Sequence, residues 1–265
     1  MRPSEGGAMN LIDWSHWPHV LAVGWFLTCW LGYTRYAGVK AKTTPCLASV
    51  LHLYREDWMR RMLMRDNRIA DTSVIGNLER NASFFASSTL IILAGIFTVF
   101  GASEKALTAL SSLPLVEQAD RSVSEVKLLG LALVFVYAFF TFSWCMRQYN
   151  FSAILLGSAP LVAERNVSEQ ERKLFVQRSA RVISSAANQF NQGLRAYYFG
   201  LAMMVWFINP WLFMLASTIV LFVLYHREFH SSVLEVMMAS QAPQTEVKAE
   251  NSAEPIPAEP EPKQS

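Results

Sequence analysis

Four stretches of the chain are apolar over about 20 residues each and carry no charge near their middle, which suits an α-helix crossing a hydrocarbon core of about 30 Å. A soluble chain of 265 residues with four such helices would retain too little polar surface to stay in water. The pattern therefore predicts an all-α integral membrane helical bundle with four transmembrane helices. The spans cover approximately residues 17–36, 83–102, 126–146 and 197–225.

The connections before the second and the fourth span have helical patterns of their own. After Pro45, apolar side chains recur at three- and four-residue steps, which is typical of an amphipathic helix. In the later connection, Ser168 and Glu171 have the spacing of a capping box, so another helix should begin there. We expect the helices of the two connections to pack together, with contact to anionic lipid as a smaller contribution.

Polar segments flank the membrane domain, which we assign to residues 11–236. Residues 1–10 add no apolar pattern and are predicted to be disordered, with Met9 as an alternative start. Residues 242–265 are rich in Pro and Glu and have no apolar periodicity, so they are predicted to form a disordered tail.

Composition agrees with a membrane protein, since 52% of the residues are apolar and only 17% are charged. The positive-inside rule then predicts the orientation. Eight Lys and Arg residues lie between the first two spans and seven between the last two, against three around the remaining connection, counting Lys127. We therefore predict a multi-pass protein of the bacterial inner membrane, with helical cytoplasmic loops and both termini outside. Because topology accounts for the basic charge, no nucleic-acid partner is expected.

The stretch FSWCMRQYN ends the third span with an unusual mixture of aromatic and polar residues. Trp144 and Arg147 suit the membrane interface, where aromatic rings anchor a helix and arginine reaches the headgroups. Gln148 and Asn150 need another explanation. Either the third helix continues past the membrane into a packed bundle, or the chain bends back along the interface. In both cases these side chains are available to polar groups of the first connection, such as Asp71, and we favour such a structural network over a ligand site.

Histidines flank the outermost spans and raise the question of a metal. His16 and His19 precede the first span, and His226 and His230 follow the last one at i, i+4 spacing. If the two ends meet, these imidazoles could hold a metal ion; we favour the alternative of exposed or hydrogen-bonded imidazoles. The chain has no standard nucleotide-binding or hydrolase motif, and its three cysteines have no CxxC spacing, so we predict no cofactor, metal site or disulfide.

Several motifs resemble one bacterial membrane-protein family. They are RMLMRDNRIADTSVIGNLERNASFFASSTLIILAG, FTFSWCMRQYNFSAILLGSAP, NQFNQGLRAYYFGLAMMVWFINPWLF and LYHREFHSSVL, in this order. In these segments the chain resembles the family known as domain of unknown function 599, from about Leu11 to Val236. The resemblance implies a four-span helical membrane protein with no established activity. It marks these residues as candidates for a polar cluster: Asp71, Asn77, Trp144, Arg147, Gln148, Asn150, Asn191, Arg195, Asn209 and Arg227.

Three functions compete on the sequence alone. The leading hypothesis is a non-enzymatic scaffold or regulatory module that acts through its basic helical loops on a protein partner. The alternative is an oligomeric pore or facilitator for a small solute, with Asn209 lining the path of a homo-oligomer. The third is an enzyme acting on lipid headgroups near Arg147 and Asn150, for which the sequence identifies no nucleophile or base. All three include the lipid bilayer as a partner.

Overall fold

A computed structural model describes residues 17–41, 43–101, 121–164 and 166–239. The predictions for residues 1–10, for Met9 and for the tail at 242–265 lie outside this part of the chain. Within it the protein is helical and contains no strand, which confirms the all-α class. The helices are α1 (Trp17–Lys40), α2 (Leu47–Leu63), α3 (Ile69–Gly101), α4 (Arg121–Gly157), α5 (Glu169–Met204), α6 (Pro210–Phe229) and α7 (Ser232–Ala239), and a 3-10 turn (Val205–Phe207) follows α5.

Three stretches of the described chain are long and apolar enough to cross a membrane, rather than the four that the sequence predicts. They are Ile69–Gly101, Ser122–Gly157 and Pro210–Ala239. Helix α1, which contains the predicted first span, is absent from this set because it is rich in Trp, Tyr, Thr and Gly, which make a segment less apolar than Leu, Ile, Val and Phe do. By length and composition, the structure therefore supports a membrane protein with three candidate spans.

The predicted fourth span, at residues 197–225, is divided between two helices. Helix α5 ends at Met204, and Asn209 is extended with φ −162° and ψ 136°. Pro210 explains the break, because proline lacks an N–H and disfavours helical backbone at the residue before it. The Asn209 side chain then caps α6 by accepting a hydrogen bond of 2.7 Å from the Trp211 N–H.

After this break α6 runs parallel to α1. The Trp17 and Trp211 rings lie 5.8 Å apart at one end of the pair, and Lys40 Nζ donates to the Tyr225 hydroxyl at 2.9 Å at the other. Helix α7 then reaches α2, where the Tyr54 hydroxyl donates to the Met237 carbonyl at 3.1 Å. The end of the described chain thus lies beside α2. The predicted arrangement put it on the side away from α2, and the reversal before Pro210 accounts for the difference.

The membrane half of the bundle is an aromatic core formed by α1 and α6 with residues 83–101, 126–144 and 190–204 of α3, α4 and α5. Antiparallel packing brings Gly193 of α5 against the ring of Phe142, which is fully buried on α4. Phe85 of α3 stacks on the same ring with centroids 5.3 Å apart. A Cβ added at position 193 would lie 2.6 Å from the Phe142 ring, so any other residue there would require the ring to shift.

The distal layer is the continuation of the bundle beyond the predicted third span, formed by α2 with residues 69–82 of α3, 145–159 at the end of α4 and 169–186 of α5. Its core joins Met59 and Met62 of α2 to Leu156 of α4 and to Val176 and Ile183 of α5. The predicted packing of the two connections is therefore confirmed. Helix α4 continues to Gly157, so the third helix passes straight into the layer and does not bend back.

Candidate functional site

Asp71 is the most deeply buried carboxylate of the distal layer, with 1% of its surface exposed. Its Oδ1 accepts hydrogen bonds from Trp58 Nε1 at 2.7 Å and from Arg65 Nη1 at 2.8 Å. Both donors belong to α2 and the turn that follows it, whereas the sequence suggested partners from FSWCMRQYN. The carboxylate therefore links the start of α3 to α2 and to the turn between them. We call this contact the α2–α3 corner.

Arg68, which the sequence analysis did not single out, joins α3 to the end of α4. Its two terminal nitrogens donate to the carbonyls of Ala159 and Pro160 at 2.8 and 2.7 Å. Both carbonyls lie beyond the end of the helix at Gly157, outside its helical hydrogen bonds, so the guanidinium supplies the donors that they need. The helix end at Gly157 and Pro160 predicts the unpaired carbonyls, but the sequence does not indicate which arginine reaches them.

The polar residues of FSWCMRQYN separate onto different faces of α4. Trp144, Arg147 and Asn150 are exposed, and the Arg147 guanidinium lies 5.9 Å from the Phe151 ring centroid. Gln148 is buried, and its Oε1 has no hydrogen-bond partner among the described residues. The motif therefore lies where α4 passes from the membrane half of the bundle into its continuation toward Gly157. It contributes one buried amide, and its exposed face suits a membrane interface.

Asn77 and Asn191 lie apart from Asp71 along their helices. Asn77 is exposed on α3 and accepts a hydrogen bond from Arg80. Asn191 is half-buried on α5. Asn209 has the capping role described above, so a structural function accounts for its side chain.

Arg195 and Arg227 connect α5 with α6. Arg195 Nη2 lies 3.5 Å from Glu228 Oε2, and its guanidinium is 5.1 Å from the Tyr33 ring centroid on α1. Arg227 Nη1 donates to the Tyr198 hydroxyl at 3.1 Å. The ten candidates therefore do not form a single cluster. Asp71 lies at the α2–α3 corner, four residues lie on different faces of α4, two lie at the α5–α6 contact, and Asn77, Asn191 and Asn209 lie apart from these.

His19 and the pair His226 and His230 lie at opposite ends of α1. His19 accepts a hydrogen bond of 3.2 Å from Trp206 Nε1 at the first end, and His230 lies 5.3 Å from the ring of Tyr225 at the end occupied by Lys40. The 21 residues from His19 to Lys40 span about 32 Å of helix. His226 stacks on His230, and His16 lies outside the described residues. In the parts of the chain with described coordinates, no group of three or more His, Cys, Asp or Glu side chains could hold a metal.

A histidine and a serine meet where α2 packs on α5, and the sequence pattern does not indicate this contact. His52 Nδ1 lies 2.8 Å from Ser184 Oγ, and His52 Nε2 lies 3.4 Å from Glu56 Oε1. Arg55 Nη1 donates to the same hydroxyl at 3.3 Å, and burial lowers the pKa of this guanidinium. We refer to Ser184, His52 and Glu56 as the Ser184 array. The i, i+4 spacing of His52 and Glu56 was visible in the sequence, but their contact with Ser184 spans 132 residues.

A cleft of about 790 Å³ opens beside Glu56, between the second half of α2 and the start of α5. Its floor is apolar and its rim carries both signs of charge. Its lining consists of Glu56, Arg60, Leu63, Met64, Val162, Glu169, Arg172, Lys173, Val176 and Gln177.

At the start of α5, the capping box that the sequence predicts is present. Ser168 Oγ accepts from the Glu171 N–H at 3.2 Å, and Glu171 Oε2 accepts from the Ser168 N–H at 2.8 Å. Hydrogen bonds from the backbone and the hydroxyl of Ser168 lower the pKa of Glu171.

Comparison with known proteins identifies a family but no characterised relative. No curated protein matches the chain, and no solved structure matches it. The model of one family, described as "Protein of unknown function, DUF599", matches residues 21–233, which include α2 to α6 in full. The resemblance seen in the motifs is confirmed, and the chain belongs to the DUF599 family.

Proposed function

We propose that this protein is a multi-pass protein of the bacterial inner membrane that presents its distal layer to a protein partner in the cytoplasm. Most of the described arginines of the two basic connections support this orientation, since they lie on or beside the distal layer, with Arg195 in the membrane half as the exception. With α1 and α6 parallel, the same orientation puts the start of α1 outside the cell and α7 inside. This revises the sequence prediction, which put both termini outside.

The cleft beside Glu56 is the observation that carries the proposed docking function. Met64 and Val162 on its lining are 72% and 52% exposed, and both lie outside the three candidate spans. Apolar surface that neither lipid nor the protein core covers is typical of an interaction site. Arg60, Arg172 and Lys173 surround this floor with cations, so the cleft fits an amphipathic segment whose apolar side chains enter and whose carboxylates contact the rim.

Photocrosslinking in native membranes tests the docking proposal. A photoreactive phenylalanine analogue replaces Met64 in one variant and Phe97, exposed on the membrane half, in the matched control. We expect a discrete protein adduct from position 64 that the additional change Lys173→Glu removes. Identical adducts at both positions, or an adduct at position 64 that is insensitive to Lys173→Glu, would contradict the proposal. An adduct with the mass of two chains would assign the cleft to a second copy.

Reporter fusions test the orientation separately. Green fluorescent protein fused after Ala239 should fluoresce, because it folds on the cytoplasmic side, and alkaline phosphatase at the same position should be inactive. The opposite pair of results would place α7 outside the cell and remove the cytoplasmic partner from consideration.

A further inference from the structure

We propose that the Ser184 array is a hydrolytic site for carboxylic esters, with Ser184 as the nucleophile and His52 as the general base. A serine becomes nucleophilic when a base within hydrogen-bond reach accepts its proton and a third group orients that base. The distances of 2.8 Å from Ser184 Oγ to His52 Nδ1 and 3.4 Å from His52 Nε2 to Glu56 Oε1 meet this requirement. This activity needs no protein partner and is independent of the docking proposal.

Glu56 selects the tautomer of His52 that the chemistry needs. A carboxylate accepts hydrogen bonds, so it favours the imidazole with its proton on Nε2. The Nδ1 atom is then free to accept the hydroxyl proton of Ser184. Both residues belong to α2 at i, i+4 spacing, so the helix itself holds the carboxylate against the ring. Glu56 acts through His52 and is a positioning residue.

Arg55 provides the charge that an acyl-transfer site requires. The backbone N–H groups around Ser184 serve the helical hydrogen bonds of α5, so a donor for a developing oxyanion must come from a side chain. Arg55 Nη1 already lies 3.3 Å from Ser184 Oγ. A partly buried cation at that distance stabilises negative charge on an oxygen next to the attacked carbon more strongly than one in water.

The reaction balances with water as the only co-reactant. Ser184 Oγ bonds to the ester carbonyl carbon while its proton moves to His52 Nδ1 and the carbonyl oxygen becomes an oxyanion beside Arg55. The tetrahedral intermediate collapses, the bond to the alkoxide breaks, and that alkoxide takes the proton from His52. Water then attacks the acyl-serine with its proton passing to His52, and Ser184 leaves with that proton, so the products are an acid and an alcohol.

The position of Ser184 along the bundle indicates the source of the ester. Cys145 Sγ lies 3.1 Å from the Ala186 carbonyl, so residue 184 is near the level of Trp144 and Arg147, the predicted membrane interface. Acyl ester bonds of lipids lie just below the headgroups, so they are the esters closest to this hydroxyl. Glu56 belongs both to the array and to the lining of the cleft of about 790 Å³.

A fluorophosphonate probe tests the nucleophile directly, because it reacts covalently with activated serines. The full chain in nanodiscs should be labelled at Ser184, as read by peptide mass spectrometry, and Ser184→Ala should remove the label. Ser185→Ala is the matched control, since Ser185 is the exposed neighbour on the same helix, and its labelling should equal wild type. General-base catalysis contributes about a hundredfold or more, so His52→Gln should slow labelling by that factor.

Folding is measured on every variant by helical circular dichroism and thermal unfolding. If Ser184→Ala fails to fold, Ser184→Thr replaces it, because the hydroxyl and its contact with His52 are retained while the added methyl hinders attack. If every variant folds but the probe does not label Ser184 in the wild type, the contact between His52 and Ser184 only joins two helices. That result would overturn the proposal.

Turnover distinguishes a lipid ester from a soluble one. Vesicles containing a phospholipid with a fluorogenic acyl chain form one arm, and a water-soluble short-chain p-nitrophenyl ester forms the other. We expect hydrolysis of the lipid ester, with Glu56→Gln lowering kcat and leaving KM nearly unchanged. Hydrolysis of the soluble ester alone would support Ser184 as the nucleophile but overturn the assignment of a lipid substrate. No hydrolysis of either ester would overturn the proposed esterase activity.

Discussion

The membrane half and the distal layer are built from the same long helices but by different means. In the membrane half, aromatic rings interlock: Phe26 lies 5.7 Å from Phe199 and 5.2 Å from Phe213. In the distal layer the core side chains are smaller or more flexible. Among the described residues each half buries four polar or charged side chains, but those of the distal layer are less completely hydrogen-bonded. Four of the five buried side-chain atoms that lack a hydrogen-bond partner in the described residues belong to this layer or to the turn before α3: Arg68 Nε, Asp71 Oδ2, Gln148 Oε1 and Ser179 Oγ.

The two kinds of core suit two different roles, packing of helices in lipid and specific polar contacts. Aromatic rings that pack by shape suit a bundle in lipid, where van der Waals contact is the main source of association between helices. Buried polar groups cost free energy wherever they are incompletely paired, so a concentration of incompletely paired groups in one region marks that region for specific contacts. The distal layer also holds both the cleft and the Ser184 array. We therefore expect the loss of a polar side chain to destabilise mainly the distal layer. A change in side-chain volume should destabilise mainly the membrane half.

The largest effect is expected at Asp71. Replacing it with Ala leaves Trp58 Nε1 and Arg65 without their acceptor, so we expect the free energy of unfolding to fall by about 2–4 kcal/mol. Thermal unfolding in detergent measures the loss. Asp57→Ala is the control, because Asp57 pairs with the exposed Arg60 at 2.7 Å, a kind of ion pair worth about 1 kcal/mol or less.

Hydrogen exchange on the Asp71→Ala variant then tests the comparison itself. The amides of α2 and the first turns of α3 should lose protection while those of α1 and α6 keep it. Equal loss of amide protection in both halves would mean that they unfold as one unit and differ only in the side chains of their cores.

The second effect concerns shape in the membrane half. Gly193→Ala places a methyl group against the stacked Phe142 ring, and overpacking of this kind costs about 1–3 kcal/mol. Gly95→Ala is the matched control, since an added Cβ at position 95 meets open space. Thermal unfolding should show a lower midpoint for Gly193→Ala alone. Equal stability of the two variants would indicate a loosely packed aromatic core.

The sequence predicted helices and their boundaries better than contacts between helices. The motif FSWCMRQYN left two alternatives open, and the helix that continues to Gly157 supports the one in which the third helix runs on into a packed bundle. Pro210 lies inside the predicted fourth span, but whether a proline kinks or reverses the chain depends on where α6 finds its partner, and the aromatic contacts with α1 are long-range. Ser184 was missed for a similar reason: periodicity indicates the faces of a helix, but it does not show which faces of two helices meet.

The third effect tests the link between α5 and α6. Arg195→Met and Glu228→Gln each break a partly buried ion pair and should each lower the free energy of unfolding by about 1–2 kcal/mol. The double variant should lose less than the sum of the two, because the second change removes nothing once the pair is broken. Thermal unfolding of the three variants forms the cycle, and strict additivity would show that the two charges do not interact. Arg227→Met is the matched control, since Arg227 is exposed and bonds only to the Tyr198 hydroxyl in the described contacts.

The smallest effect belongs to the exposed cap of α5, where polar contacts act at the surface of the distal layer. Because the hydrogen bonds from Ser168 lower the pKa of Glu171, their stabilisation is present above the unfolded-state pKa and is lost as pH falls through the lower folded-state value. Ser168→Ala should therefore unfold at a slightly lower temperature than wild type at neutral pH, and the two melting temperatures should converge in acid. Ser158→Ala, which alters an exposed serine at the end of α4, controls for surface changes and should show no such convergence. A difference between Ser168→Ala and wild type that persists unchanged at low pH would mean that the serine hydroxyl alone, without the ionised carboxylate, stabilises the start of α5.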